Sequence, residues 1–146
     1  MAAFAALDVS KKSTSIHIVD EKGLCLWRGK TLTNPAALAE ALSPFSDDLT
    51  LVGLETGSWT TWLWHELTER GFPMVCMDAR QAHAALSVTI NKTDANDAQG
   101  LAHLLRTGLF REVRVKGWED MQKRTLLRAR STMLRCVLDL ANAIRG

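Results

Sequence analysis

Two apolar runs in this chain each close on an acid, and a second pair of acids opens a helix-forming stretch downstream. Asp8 ends the run in Ala-Ala-Leu-Asp-Val-Ser-Lys, and Glu55 ends the one in Leu-Val-Gly-Leu-Glu-Thr-Gly. Asp94 and Asp97 stand in Lys-Thr-Asp-Ala-Asn-Asp-Ala. A carboxylate at the end of a hydrophobic strand is costly unless something pairs with it. A hard divalent cation is the usual partner for such a cluster. Two of them ~3.5–4 Å apart form the common apparatus for breaking and making phosphodiester bonds. A fold that satisfies this pattern has to bring both strand ends and the helix start to one polar edge.

The rest of the pattern supplies such a fold. Residues 3–8 read as a buried strand, Ser15–Val19 alternates, and Asp20-Glu21-Lys22-Gly23 is a turn leading to a third strand over Leu24–Leu32. Asn34-Pro35 places an N-cap before a Pro at the first helical position, predicting a helix to about Leu42. Leu49–Glu55 is a fourth strand, Trp59–Arg70 a helix closed by Gly71, and Pro73–Met77 a fifth strand. Thr93 or Asp94 caps a helix to about Arg106, and Gly108 ends it. Gln81–Lys92 is polar and without clear period, and it reads as a mobile segment beside the site. The expected fold class is α/β, a mixed five-stranded sheet with flanking helices in the RNase H-like strand order.

From Trp118 to Ile144 the sequence has no Pro or Gly. Leu127, Leu134, Val137, Ala141 and Ile144 follow a heptad-like seam. A helix this long has little domain left to pack on, so a homo-oligomer, dimer or tetramer, through residues 118–144 is expected. The net charge of +2 conceals an asymmetry: residues 106–146 carry ten Lys/Arg against four acids, a net +6, while the first 105 residues are at −4. An acidic half followed by a basic helical half suits a nucleic-acid partner, although an Arg-rich solvated helix has the same signature. No run approaches a membrane span, and the start, Met-Ala-Ala-Phe-Ala-Ala-Leu-Asp, lacks the basic n-region of a signal peptide. Cys25, Cys76 and Cys136 lack metal-ligand spacing and read as buried or semi-buried free thiols in a reducing cytoplasm.

Asp94 and Asp97 are i and i+3, one turn apart on one helix face. The helix N-terminus there favours ionised carboxylates. Asp8 and Glu55, if their strands are neighbours, complete a nest of four that would hold Mg²⁺ or Mn²⁺. Each acid also has a plainer role, as a strand-end turn former, a loop acid or a helix cap; the conjunction is what points to metal.

At these residues the chain resembles the insertion-sequence 110 family of transposases, also called DEDD transposases or bridge-RNA-guided recombinases. The matching stretches are Asp8-Val9-Ser10-Lys11, Glu55-Thr56-Gly57 and Lys92-Thr93-Asp94-Ala95-Asn96-Asp97-Ala98, the last being the most specific. The resemblance implies a RuvC-like domain over residues 1–116, with Asp8, Glu55, Asp94 and Asp97 as its catalytic metal-binding tetrad. Residues 117–146 would then begin a helical, coiled-coil region. It implies DNA and a guide (bridge) RNA as partners, strand cleavage and exchange as the activity, and a bacterial cytoplasmic, nucleoid-associated location. Family members continue into a C-terminal domain that supplies a serine nucleophile. No serine here matches that role, so the chain is expected to be an incomplete catalyst by itself.

Other residues carry weaker signals. Lys11 and Lys92 flank the tetrad, and Lys123, Arg124, Arg128, Arg130 and Arg135 stud the long helix; all seven are candidates for phosphate contact, and all could be ordinary surface cations. Trp59, Trp62 and Leu63 share a helical stripe, which leaves Trp64 as the tryptophan expected to meet RNA or another subunit. His17, His65, His83 and His103 read as structural or surface residues. Three alternatives stay open: a stand-alone RuvC-like Holliday-junction endonuclease, a non-catalytic RNA-binding or dimerisation module, and a sugar-kinase or actin-like ATPase. The last is disfavoured by the Gly-free Val-Ser-Lys-Lys-Ser after Asp8.

Overall fold

The computed structural model describes residues 2–87 and 94–146, with side chains from Asp97 onward in the second stretch. It divides into two units, Met1–Val115 and Lys116–Gly146. The first holds an antiparallel meander of β1 (Ala3–Val9), β2 (Ser13–Asp20) and β3 (Cys25–Leu32). Its second turn is made by Asp20, whose carboxylate accepts the backbone N–H groups of Lys22 (2.9 Å) and Leu24 (2.8 Å). Gly23 there has φ +86°, a conformation that a side chain would strain. The Thr33 hydroxyl donates to the Ser10 carbonyl (2.6 Å), tying the exit of β3 to the turn between β1 and β2.

Helix α1 (Pro35–Leu42) starts where expected: the Asn34 side chain accepts from the N–H of Ala36 at 2.8 Å. Strand β4 (Leu49–Glu55), helix α2 (Thr60–Glu69) and strand β5 (Met74–Met77) follow. Strand β4 pairs parallel with β1, and β5 parallel with β4, giving the order β3-β2-β1-β4-β5. This is the mixed five-stranded sheet that the sequence pattern predicts.

Side-chain alternation along the strands divides the core in two. Ala5, Leu7, Ile16, Ile18, Val52 and Leu54 face α1 and α2, burying Leu38, Leu42, Leu63 and Leu67. Ala6, Val19, Val75 and Met77 belong to the opposite side, with Leu101, Ala102 and Leu105 of helix α4 (Asp94–Thr107). Helix α4 lies over β1 and β2. It sits close to the sheet because Gly53 has no side chain: a Cβ there would fall 2.6 Å from Leu105 Cδ1. Gly100 similarly leaves room for Leu86 of helix α3 (Ala79–Leu86), where a Cβ would meet Cδ2 at 2.5 Å.

Helix α3 corrects one expectation. Residues 79–86 are helical, capped by the Asp78 carboxylate, which accepts from Arg80 (2.9 Å) and Gln81 (3.3 Å). Residues 88–93 lie outside the described residues. The sequence also gave no strand signal after β5, yet residues 111–113 cover its outer edge. Asp78 donates to the Arg111 carbonyl (2.9 Å) and Val113 to that of Cys76 (2.8 Å), with a bridge between Met77 and Glu112. Cys25 and Cys136 are exposed free thiols, while Cys76 is buried. Burial, with Glu112 and Asp78 nearby, pushes the Cys76 thiol up to about 11.

The second unit is one helix, α5 (Trp118–Arg145), beginning after Gly117. Within it Leu127, Leu134, Val137 and Ile144 are exposed. No helix among the described residues is long and apolar enough to cross a membrane.

Candidate active site

Strands β1 and β4 run side by side, with Leu7 opposite Leu54. One step further along each strand come Asp8 and Glu55. Both are half-buried, and both alternate onto the α4 side, since Leu7 and Leu54 point into the α1/α2 core. Helix α4 brings Asp97 to the same place. Asp8, Glu55 and Asp97 line one cavity of about 70 Å³ with His83, Leu86, Ser87 and Leu101. Asp94 begins α4, but its side chain lies outside the described residues, as does Lys92.

Local hydrogen bonds hold this end of the sheet. Thr60 donates its hydroxyl to the Glu55 carbonyl at 2.5 Å. The Thr56 N–H bonds to the Met77 carbonyl (2.9 Å), and its hydroxyl accepts the N–H of Ala79 (3.1 Å). Thr56 thereby fixes the start of α3 against the strand that carries Glu55. Gly57 needs no special conformation, and an added Cβ would make only an ordinary 3.6 Å contact with Thr60 Oγ1. A second cavity, about 90 Å³, opens beside the acids between Asp8, Val9, Glu55 and the Thr56–Thr60 turn.

Among the described residues no three acid, His or Cys side chains converge closely enough to cage a metal ion. Three carboxylates on one cavity fit a site of the Mg²⁺ kind. That ion keeps several waters and is held by one or two carboxylates plus substrate phosphates rather than by a closed protein cage. An all-oxygen donor set of Asp8, Glu55 and Asp97 suits Mg²⁺ or Mn²⁺ and not a softer metal.

His83 and Ser87 were not singled out from the sequence as site residues. Their i, i+4 spacing would have marked one face of a helix, had 79–86 been read as a helix. The tryptophans differ in exposure from what the helix stripe suggests. Trp64 is half-buried against the α1/α2 core and stacks edge-on with His65 at 5.0 Å. Trp59 is the exposed one, 39% accessible, beside Trp62 (6.1 Å) and lining the second cavity. Lys11 is exposed in the turn after β1. Lys123, Arg124, Arg128, Arg130 and Arg135 are exposed on α5, where Lys123 pairs with Glu119 at 3.8 Å.

This sheet order, with acids at the ends of two central strands under a helix, defines a RuvC-like fold. The Thermus thermophilus RuvC structure superposes with a TM-score of 0.53 at 15% identity, covering 76% of this chain and 99% of that one. The same organism's RuvC in complex with Holliday junction substrate gives 0.53 at 16% identity, covering 77% and 100%. At such identity the likeness concerns the fold. No curated protein matches the sequence at a significant level. The model of the insertion-sequence 110 family of DEDD transposases, described as "Transposase", matches residues 5–146, and the chain belongs to that family.

Proposed function

We propose that this chain is the metal-binding catalytic domain of a transposase that cleaves and exchanges DNA strands under guidance from an RNA. The observation that carries the reading is the convergence of Asp8, Glu55 and Asp97 on one cavity in a transposase-family chain. Asp94, one helical turn from Asp97, would complete the tetrad. Bound Mg²⁺ or Mn²⁺ would supply activation of the attacking oxygen and charge stabilisation at the leaving oxygen. Asp8 and Glu55 orient that chemistry from rigid strand ends. Asp97 holds it from the helix side, and Leu86 and Leu101 wall off one side from water. The serine nucleophile of the family is assigned to no residue of this chain. The exposed seam of α5 would pair with the same helix of a second copy, as a dimer or tetramer. Lys123, Arg124, Arg128, Arg130 and Arg135 would then meet the phosphates of DNA or the guide RNA, with Lys11 and Lys92 acting beside the acids.

A second reading, a stand-alone junction endonuclease, is favoured by the likeness to RuvC bound to a Holliday junction. The two separate on one assay: the chain is incubated with Mg²⁺ and a four-way DNA junction. Metal-stimulated binding without cleavage, lost in Asp8→Asn, supports the transposase domain. Cleavage lost in the same variant supports the endonuclease. Neither metal nor DNA binding overturns both and leaves a dimerisation module.

A further inference from the structure

Another cavity on the α4 side of the sheet does not contain the acids. It measures about 380 Å³ and is lined by Ser15, Ile16, His17, Arg28, Gly29, Lys30 and Ala98. Strand pairing explains how it arises. Asp8 pairs with Ser15, and Ser15 with Lys30; one row along, Ala6 pairs with His17 and His17 with Arg28. Directly opposed residues project to the same face of a sheet. The row that begins at Asp8 on β1 therefore ends at Lys30 on β3, about 10 Å away across two strand spacings. The linings of this cavity and of the acid cavity are neighbours at two places. Ser15, in the larger one, is the cross-strand partner of Asp8 in the smaller, and consecutive residues of α4, Asp97 and Ala98, line one each.

Charge changes sign along that row. The acid cavity is lined by Asp8, Glu55 and Asp97, whereas the described residues of the larger groove include Arg28 and Lys30 over a buried His17 and no carboxylate. Cations on an edge strand such as β3 commonly serve only to discourage edge-to-edge pairing. That role requires no cavity, and it gives no reason for both cations to stand over one face beside a site for phosphodiester chemistry. Arg28 and Lys30 are i and i+2, about 6.6 Å apart along the strand, so they can meet successive phosphates rather than compete for one. Arg offers a planar fork to phosphate and Lys a point charge. Trp27 folds against Gly29 on the opposite face of β3, toward the α1/α2 core, so it stays out of the groove.

We propose that this groove is a phosphate-backbone track that seats the DNA strand flanking the bond handled at the acid cavity, with Arg28 and Lys30 as its contacts. The proposal rests on the reading of the acid end as a site of strand chemistry, so its test is run without metal. Binding of a fluorescent single-stranded DNA to the full chain is titrated in EDTA over a range of salt. Variants are Arg28→Gln/Lys30→Gln and, as a control of equal charge change, Lys22→Gln/Arg70→Gln. Two lost phosphate contacts should flatten the log K against log salt slope by about 1.4, from roughly 0.7 per contact on single strands. The control should leave the slope unchanged. Equal slopes for the groove variant and wild type, with matching circular dichroism, overturn the proposal. So does a slope change seen with RNA of the same sequence and absent with DNA, or full displacement of the strand by millimolar inorganic phosphate, which would mark an isolated anion pocket. Metal binding that survives in the groove variant but fails in Asp8→Asn separates failure of the track from failure of the acid site.

Discussion

The two faces of the sheet are built from the same five strands and serve opposite ends. Toward α1 and α2 the strands present Leu7, Ile16, Ile18 and Leu54, and the helices answer with Leu38, Leu42, Leu63 and Leu67, all fully or almost fully buried. Toward α3 and α4 the strands present Ala6 and Gly53 among Val19, Val75 and Met77, and at the two small residues α4 comes to close range. Branched side chains fill space and supply stability; small ones let a helix approach until its acid reaches the acids of the strand ends. The first face is packed mostly by large side chains, and the second, with a core of its own, also sets positions.

The comparison breaks first at the large side chains. Leu67→Ala should cost about 2–5 kcal/mol, because a fully buried leucine leaves a cavity that its neighbours fill only partly. Chemical denaturation reads this, and a loss below about 1 kcal/mol would mean that the α1/α2 face is not the stabilising one. On the other face the expected damage comes from adding atoms. Gly53→Ala sets a methyl 2.6 Å from Leu105 and should cost about 1–3 kcal/mol through overpacking. It should also weaken metal binding by displacing α4, whereas Leu67→Ala, while folded, should not.

A smaller effect concerns pH. Burial, with His103 and Arg28 nearby, holds His17 below its ordinary 6.5. The unfolded chain then binds the proton more readily than the folded one. Stability from this residue is complete above pH 6.5 and falls as pH drops below it, until the folded imidazole protonates too. His17→Asn should flatten that part of the stability–pH curve, measured by denaturation at fixed salt. An unchanged slope would show that the imidazole is not the source. Smallest of all is Gly57→Ala, expected to shift stability by no more than about 0.5 kcal/mol, since its Cβ has room.

Periodic features were legible in the sequence. The meander, the Asn34-Pro35 start, the long helix after Gly117 and the strand-end placement of Asp8 and Glu55 all depend on local patterns of side chains. Helix α3 was not legible, because its residues are mostly small or polar and bury only Ala82, so the segment passes for a polar loop despite the Asp78 cap. His83 was lost with it. That Trp64 is half-buried depends on tertiary packing against the α1/α2 core, which the helix stripe alone does not disclose. The groove of Arg28 and Lys30 depends on strand register, which no local pattern discloses. The face assigned to Asp8 and Glu55, by contrast, follows from alternation alone once the strands are placed.

The account depends most on the acids acting together on a metal ion. Calorimetric titration of Mn²⁺ into the chain and into Asp8→Asn, Glu55→Gln and Asp97→Asn tests this directly. Each substitution should weaken binding by about tenfold or more, at least 1.4 kcal/mol, with a melting temperature no lower than wild type in the absence of metal. Undiminished Mn²⁺ affinity in all three variants would contradict it.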